Sequence, residues 1–183
     1  MALVDHLAIS PMLIALATAV FTLLIRRYQR VQTAVSLLGS FSILGATFLV
    51  AEKARDTILV YRLGGDLVKD GIPFGILLEV DQLSAFMMLF SAFVMSSGLV
   101  YSVFFISKRG QRVSYHSLWH LLTFGTMGAF STGDLFNLFV WFEVLLMSSY
   151  ILVVFYSNQE ATRSALYYVT LNLVGSAIML LAI

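Results

Sequence analysis

The sequence contains no cysteine, which excludes disulfides and cysteine-ligated metal clusters within this chain and leaves its redox compartment undetermined. It is also poor in charge. Only 11% of its 183 residues are charged, against about a quarter in soluble domains, and the formal net charge is +1. With so little excess positive charge there is no electrostatic case for a nucleic-acid partner. No glycine-rich nucleotide loop of the Rossmann or Walker type occurs, and the three histidines lack metal-site spacing, so no cofactor or metal is expected in this chain. No basic stretch precedes the first apolar run, so the start does not read as a cleavable signal.

Apolar residues are abundant. They make up 60% of the chain, far more than a core this small can bury, and membrane lipid is the natural partner for the excess. A membrane span needs about 20 mostly apolar residues. Six segments approach this, at roughly 7–25, 33–51, 82–106, 117–132, 135–156 and 166–183. The expected fold is therefore an all-α integral membrane protein, a single membrane domain over residues 1–183. The fourth segment is short and ends in Ser131-Thr132-Gly133-Asp134, so helices four and five should form a tight antiparallel hairpin.

Lysine and arginine in the short loops set orientation. Arg26, Arg27 and Arg30 lie in loop one, Lys108, Arg109 and Arg112 in loop three, and Arg163 in loop five; loop four has only Asp134. These loops are expected inside a cell (inner or plasma) membrane, with the N- and C-termini outside. Tyr28, Tyr115, Trp119, Tyr156 and Tyr167 fall at the same inner interface, where amphipathic rings prefer to sit. Loop two, about 52–81, carries mixed charge. Its stretches Thr57–Leu63 and Phe74–Val80 are rich in apolar and β-branched residues and are separated by Gly64-Gly65 and Gly71-Ile72-Pro73, which predicts a small outer β-hairpin.

Stripes of small residues recur along the helices: Ala15, Thr18, Ala19 and Thr22; Ser36, Gly39, Ser40 and Ile43; Ser84, Ser91 and Gly98; Gly125, Gly128, Ala129 and Thr132. Such stripes let membrane helices approach closely and argue for a compact bundle rather than a site.

Glu143 is the one acid or base well inside a predicted span, flanked by Trp141, Phe142, Val144 and Leu145. A charge at that depth costs at least about 2.5–3.5 kcal/mol on insertion scales. The carboxyl must therefore hold a proton or find a basic partner, and no lysine or arginine lies within another span. Either state suits proton relay; the alternative is a protonated acid that only bonds a neighbouring helix. Tyr150, seven residues on, shares the face of Glu143, whereas Asn137 points about 120° away. The Tyr150 hydroxyl is placed to extend a proton path or to fill space, with space favoured. His120, near the inner end of helix four with His116 close by, is read as a proton shuttle or, more simply, a snorkelling interfacial side chain. Asn172, Gly175 and Ser176 share a face of helix six, as a polar lining or, more simply, a helix–helix hydrogen bond. Asp134 reads as the cap of helix five.

The stretch Thr132-Gly-Asp-Leu-Phe-Asn-Leu-Phe-Val-Trp-Phe-Glu143-Val-Leu-Leu-Met-Ser-Ser-Tyr150 closely resembles the fifth helix of antiporter-like membrane subunits. These occur as the D-type subunit of Mrp multisubunit cation/proton antiporters, with relatives in respiratory complex I and energy-converting membrane-bound hydrogenases. Val80-Asp-Gln-Leu-Ser-Ala-Phe86 resembles the start of that family's third helix, Tyr61-Arg-Leu-Gly-Gly65 its outer hairpin, and Ala165-Leu-Tyr-Tyr-Val-Thr-Leu-Asn-Leu-Val-Gly-Ser176 its sixth helix. The resemblance implies that Glu143 takes part in translocating protons or sodium. It implies a bundle of about fourteen helices with inverted repeats, of which this chain is the N-terminal part. It implies no redox centre here, since partner subunits hold those, and the expectation is a non-redox subunit rather than an independent enzyme. The lysines the family places in later helices are not among these residues. A short or split subunit is expected, with another chain of a multisubunit complex supplying the missing helices and lysines. The rival expectation is a structural spacer that has lost transport with the second half; a free-standing homo-oligomeric channel is the least favoured.

Overall fold

The computed structural model describes residues 5–63, 75–105, 115–154 and 159–183. In chain order they form α1 (Asp5–Leu24), α2 (Gln29–Ala54), β1 (Leu59–Leu63), β2 (Ile76–Val80), α3 (Gln82–Phe105), α4 (Tyr115–Ser131), α5 (Leu135–Val154) and α6 (Gln159–Ala182). The predicted hairpin tip Gly64–Pro73, the basic residues Lys108, Arg109 and Arg112, and Tyr156 lie outside the described residues.

Five of these helices are long and apolar enough to cross a membrane, at His6–Leu24, Gln29–Ala54, Gln82–Phe105, Leu135–Val154 and Arg163–Ala182. The sixth expected span, α4, has 17 residues, at the lower limit for a crossing. It is the central helix of the bundle, packed against α1, α3, α5 and more lightly α2, so protein rather than lipid surrounds most of it. The other helices turn their apolar sides outward instead: Phe104 is 80% exposed, Leu171 74% and Leu38 69%. Exposing such apolar surface to water is unfavourable, so it belongs in hydrocarbon.

Two helices exceed their expected bounds at polar ends. α2 runs from Gln29 rather than residue 33 and continues through Glu52 and Lys53. α6 starts at Gln159 rather than residue 166. Apolarity marks the hydrocarbon-crossing part of a helix, whereas the backbone hydrogen-bond ladder continues into the interface. Within α1, Pro11 cannot donate to the Leu7 carbonyl; the Ser10 hydroxyl donates to it instead, at 2.8 Å.

The small-residue stripes of α1 and α2 face each other. Ala15, Thr18, Ala19 and Thr22 are buried, as are Ser36, Ser40 and Ile43. A Cβ at Gly39 would overlap the Thr18 side chain, so glycine is what lets these helices meet. In α3 the buried face is Ala85, Met88, Ala92, Ser96, Leu99 and Ser102. The expected Ser84–Ser91–Gly98 stripe is half-buried beside it, and Gly98 meets the Trp119 ring of α4, where a Cβ would stand 3.0 Å away; the most buried positions lie one residue further on, because residue volume alone does not fix helix rotation.

Polar groups join the helices at several levels. The Ser40 and Ser96 hydroxyls lie 3.0 Å apart across α2 and α3, and the Trp119 indole donates to the Met95 carbonyl at 3.2 Å, linking α4 to α3. Interhelical side-chain bonds in membranes average only about 0.6 kcal/mol. A Ser40→Ala/Ser96→Ala double-mutant cycle on thermal stability is therefore expected to return a coupling of about that size; several times more would make the pair a dominant lock.

The strands pair antiparallel, with Leu59 opposite Val80, Tyr61 opposite Leu78 and Leu63 opposite Ile76. Leu59, Leu78 and Val80 are buried, while Val60, Arg62 and Glu79 lie on the other face, the alternation of a half-buried hairpin. It packs on the start of α1, where the His6 ring lies 5.4 Å from that of Tyr61. A bridge from Leu78 to Thr132, with Gly133 N–H donating to the Leu77 carbonyl at 2.9 Å, ties it to the α4–α5 turn.

Candidate functional site

The position of α5 is set at its start and along one face. The Asp134 carboxylate accepts from Asn137 N–H at 2.6 Å, the expected N-cap. Gly125 and Gly128 of α4 then allow very close approach. A Cβ at Gly125 would stand 2.8 Å from the Leu145 backbone nitrogen, and one at Gly128 would run into the Trp141 ring. Trp141 also meets Phe124 edge-on, with centroids 5.1 Å apart. The face of α5 carrying Asn137, Trp141 and Ser148 is thus the buried one.

Glu143 is half-buried and lies off that face, eight residues into the 20-residue helix and so about 12 Å along it. It forms neither a hydrogen bond nor an ion pair with any described residue. Tyr150 is buried toward α6: its ring meets Tyr168 edge-on at 5.0 Å, and its hydroxyl interacts with the Asn172 side chain and lies within electrostatic range of Glu143. The buried Asn172 Nδ2 has no hydrogen-bond partner among the described residues. The structure thus brings Glu143, Tyr150 and Asn172 together where α5 meets α6. Ser176 is one turn further along α6, and its hydroxyl donates to the Asn172 carbonyl at 2.9 Å. That bond stays within one helix, so the helix–helix reading holds for Asn172, which reaches Tyr150, and is corrected for Ser176 alone: a serine hydroxyl reaches its own preceding turn more easily than a distant neighbour. Gly175 faces open space.

His120 is corrected as well. The favoured reading placed it at the interface as a snorkelling side chain, but it is fully buried, with Nε2 2.9 Å from Ser36 Oγ. Snorkelling requires a stem lying along lipid, and this face of α4 is enclosed by α1 and α2. His120 does not join the Glu143 group. It sits in a separate polar cluster with His116, Thr33, Ser36, Gln32, Thr22 and Ser117. Thr22 and Ser117 are 3.0 Å apart through their hydroxyls, and Gln32 Nε2 donates to the Thr22 carbonyl at 2.9 Å. Sequence reading missed Gln32, Thr33 and Ser117 as members; the signal was present as polar residues at helical spacing on α2 and as the His116/His120 pair four apart.

Beyond the helix ends, Glu79, Asp81 and Asp134 share the lining of a cavity of about 430 Å³ beside the start of α5. Asp81 opens α3 by accepting from Ser84 N–H at 2.7 Å, and Ser84 holds its carboxyl below the usual carboxylate range. A depressed acid contributes stability above its ordinary value near 3.8 and loses it as pH falls through the folded value. Acid is therefore expected to fray the start of α3, read as faster amide exchange at Ser84 and Ala85. Asp81→Asn should remove that acid step; an unchanged acid profile in the variant would refute this origin.

Fold and site define a polytopic α-helical membrane module with a carboxyl at mid-span. Residues 132–183 match the family described as NADH:quinone oxidoreductase/Mrp antiporter, TM. The chain is 35% identical to a probable K(+)/H(+) antiporter subunit, of type D, from Rhizobium meliloti (strain 1021), covering 98% of this chain and 33% of the relative. It is 31% identical to the D-type Na(+)/H(+) antiporter subunit of Alkalihalophilus pseudofirmus, covering 98% and 36%. Among solved structures, a chain of the Mrp complex from Dietzia sp. superposes with a TM-score of 0.83 at 26% identity, over 99% of this chain and 34% of that one. A chain of the membrane-bound sulfane sulfur reductase, an archaeal respiratory membrane complex, superposes at 0.86 with 23% identity, which shows a shared fold. The chain is thus similar over nearly its whole length to D-type antiporter subunits, and it spans about a third of the length of the curated relatives it matches.

Proposed function

We propose that this chain is an ion-translocating module of a multisubunit membrane complex, moving H⁺, Na⁺ or both, with Glu143 as the group that loads and releases the ion. The observation that carries this reading is the placement of Glu143. A carboxyl halfway along α5, with no partner among the described residues, stands on the side where Tyr150 and Asn172 meet α6. A group in such a setting is expensive to keep ionised and exchanges protons readily when a polar route reaches it. Tyr150, Asn172 and Ser176 supply that route toward the α6 side.

A basic partner, a lysine from helices beyond the third of the relatives spanned here, would complete the site. Other membrane subunits would hold any redox centre, leaving this chain without a cofactor of its own. Arg26, Arg27, Arg30 and Arg163 support an orientation in a cell membrane with the α1–α2 turn inside and the β-hairpin outside. Ion translocation by the assembled complex carrying Glu143→Gln tests the reading. A spacer subunit would show no change.

A further inference from the structure

The cluster between α1, α2 and α4 contains acceptors that the Glu143 site does not use. His120 Nε2 lies 2.9 Å from the Ser36 hydroxyl and 3.1 Å from the Ser36 carbonyl. A carbonyl only accepts, so Nε2 carries the proton and Nδ1 the bare lone pair. The same holds for His116. Its Nε2 lies 3.3 Å from Thr33 Oγ1, and that hydroxyl spends its own proton on the Gln29 carbonyl at 3.0 Å. Gln32 gives its amide N–H to Thr22 and keeps its oxygen free. Among the described residues, His116 Nδ1, His120 Nδ1 and Gln32 Oε1 are thus three buried acceptors without partners, on side chains no more than 1% exposed.

Leaving one buried acceptor unmade costs about 1–3 kcal/mol. Three such atoms in one cluster therefore call for a donor, and a small one, because the surrounding helices are close-packed. Water has the right size and the right chemistry. A groove of about 870 Å³, lined by Arg26, Arg27, Tyr28, Gln29, Arg30 and Val31, opens at the same end of the bundle, directly before Gln32 and Thr33 in α2.

We propose that His116 and His120 form a hydrated relay which passes protons between the Arg26–Arg30 end of the bundle and its interior, separate from Glu143 in place and feeding the same ion path. A proton arriving from one water joins Nδ1 of His120, the Nε2 proton passes to the Ser36 hydroxyl, and the hydroxyl's own proton passes to a second water of the cluster; rotation of the ring, which brings a protonated nitrogen back to Ser36, resets the step. Among the described residues, the charged and titratable groups on the elements around the pair are few. Arg26, Arg27, Tyr28 and Arg30 are exposed in and beside the α1–α2 turn, where water and salt screen them. Tyr115 meets His116 edge-on at 5.7 Å, α3 offers the exposed Tyr101, and α5 offers Glu143. His6 on α1 and Glu52 and Lys53 on α2 belong to the opposite ends of their helices.

This inference rests on the ion-translocation reading, and two measurements separate their fates. In the assembled complex in lipid, nitrogen-15 histidine solid-state NMR with water-edited transfer is expected to show Nε2–H tautomers whose Nδ1 receives magnetisation from water. Nδ1–H tautomers, or dry rings, would overturn the relay whatever the transport result. His120→Gln keeps an amide N–H for Ser36 and lacks the ring lone pair; ion translocation is expected to fall at least about tenfold with assembly retained. Unchanged transport in His120→Gln beside a loss in Glu143→Gln overturns the relay alone, and unchanged transport in both overturns both readings. Should His120→Gln fail to assemble, the NMR result on the unaltered protein decides.

Discussion

Replacing Glu143 by glutamine is expected to lower ion translocation at least about tenfold while the complex still assembles. Glutamine keeps the length and hydrogen-bonding shape of the side chain and removes the exchangeable proton. Membrane insertion should not suffer, since a neutral amide avoids the ~2.5–3.5 kcal/mol that insertion scales assign to a central charge. Tenfold corresponds to about 1.4 kcal/mol, less than that cost, so the loss should be well resolved in reconstituted vesicles. Glu143→Asp keeps the acid on a shorter stem and should fall between the two. Wild-type rates in the glutamine variant would remove Glu143 as the carrier and favour a spacer subunit.

Gly125→Val is expected to have the largest effect on stability. A Cβ at this position would meet the backbone of Leu145, at 2.8 Å from nitrogen and 3.0 Å from Cα. Backbone cannot swing aside as a side-chain tip does, so α5 must move as a body. Overpacking a close interface costs about 1–3 kcal/mol for small additions, and the branched valine adds two further methyl groups at the tightest point. Because α6 docks chiefly on α5, displacing α5 also displaces Asn172 from Tyr150. Thermal unfolding of the solubilised complex should show a clearly lowered midpoint. Gly45→Ala is the control: nothing lies within 4 Å of its Cβ position, and alanine favours helix by up to about 1 kcal/mol. Equal midpoints for the two variants would show that α4 and α5 do not depend on this contact.

Much of the fold was legible in the chain of residues alone. The six helices fall close to the apolar segments, the two strands to the β-rich stretches of loop two, and Asp134 caps α5 as its position after Gly133 suggested. These features are local. A run of apolar residues must leave water, a β-rich pair of stretches separated by glycines must turn, and a carboxylate at a helix start meets free N–H groups whatever lies around it.

Rotation and enclosure were not legible. The small residues of α3 mark its half-buried edge rather than its most buried face, and Ser176 was assigned across helices when it bonds within its own. His120 was read at the interface because its position along α4 is near an end. Depth along a helix follows from sequence, but burial around it depends on which helices stand alongside, and α4 is enclosed by its neighbours.

By itself, then, the sequence determined that this chain crosses a membrane repeatedly and holds one acid at mid-span, because hydrophobic length and the cost of a buried charge are properties of single segments. Only the tertiary structure decided that Glu143 faces the α5–α6 side with Tyr150 and Asn172, and that the two histidines lie in a separate buried cluster. Those outcomes rest on how closely Gly39, Gly125 and Gly128 let particular helices meet, and van der Waals contact between helices is a property no single segment carries.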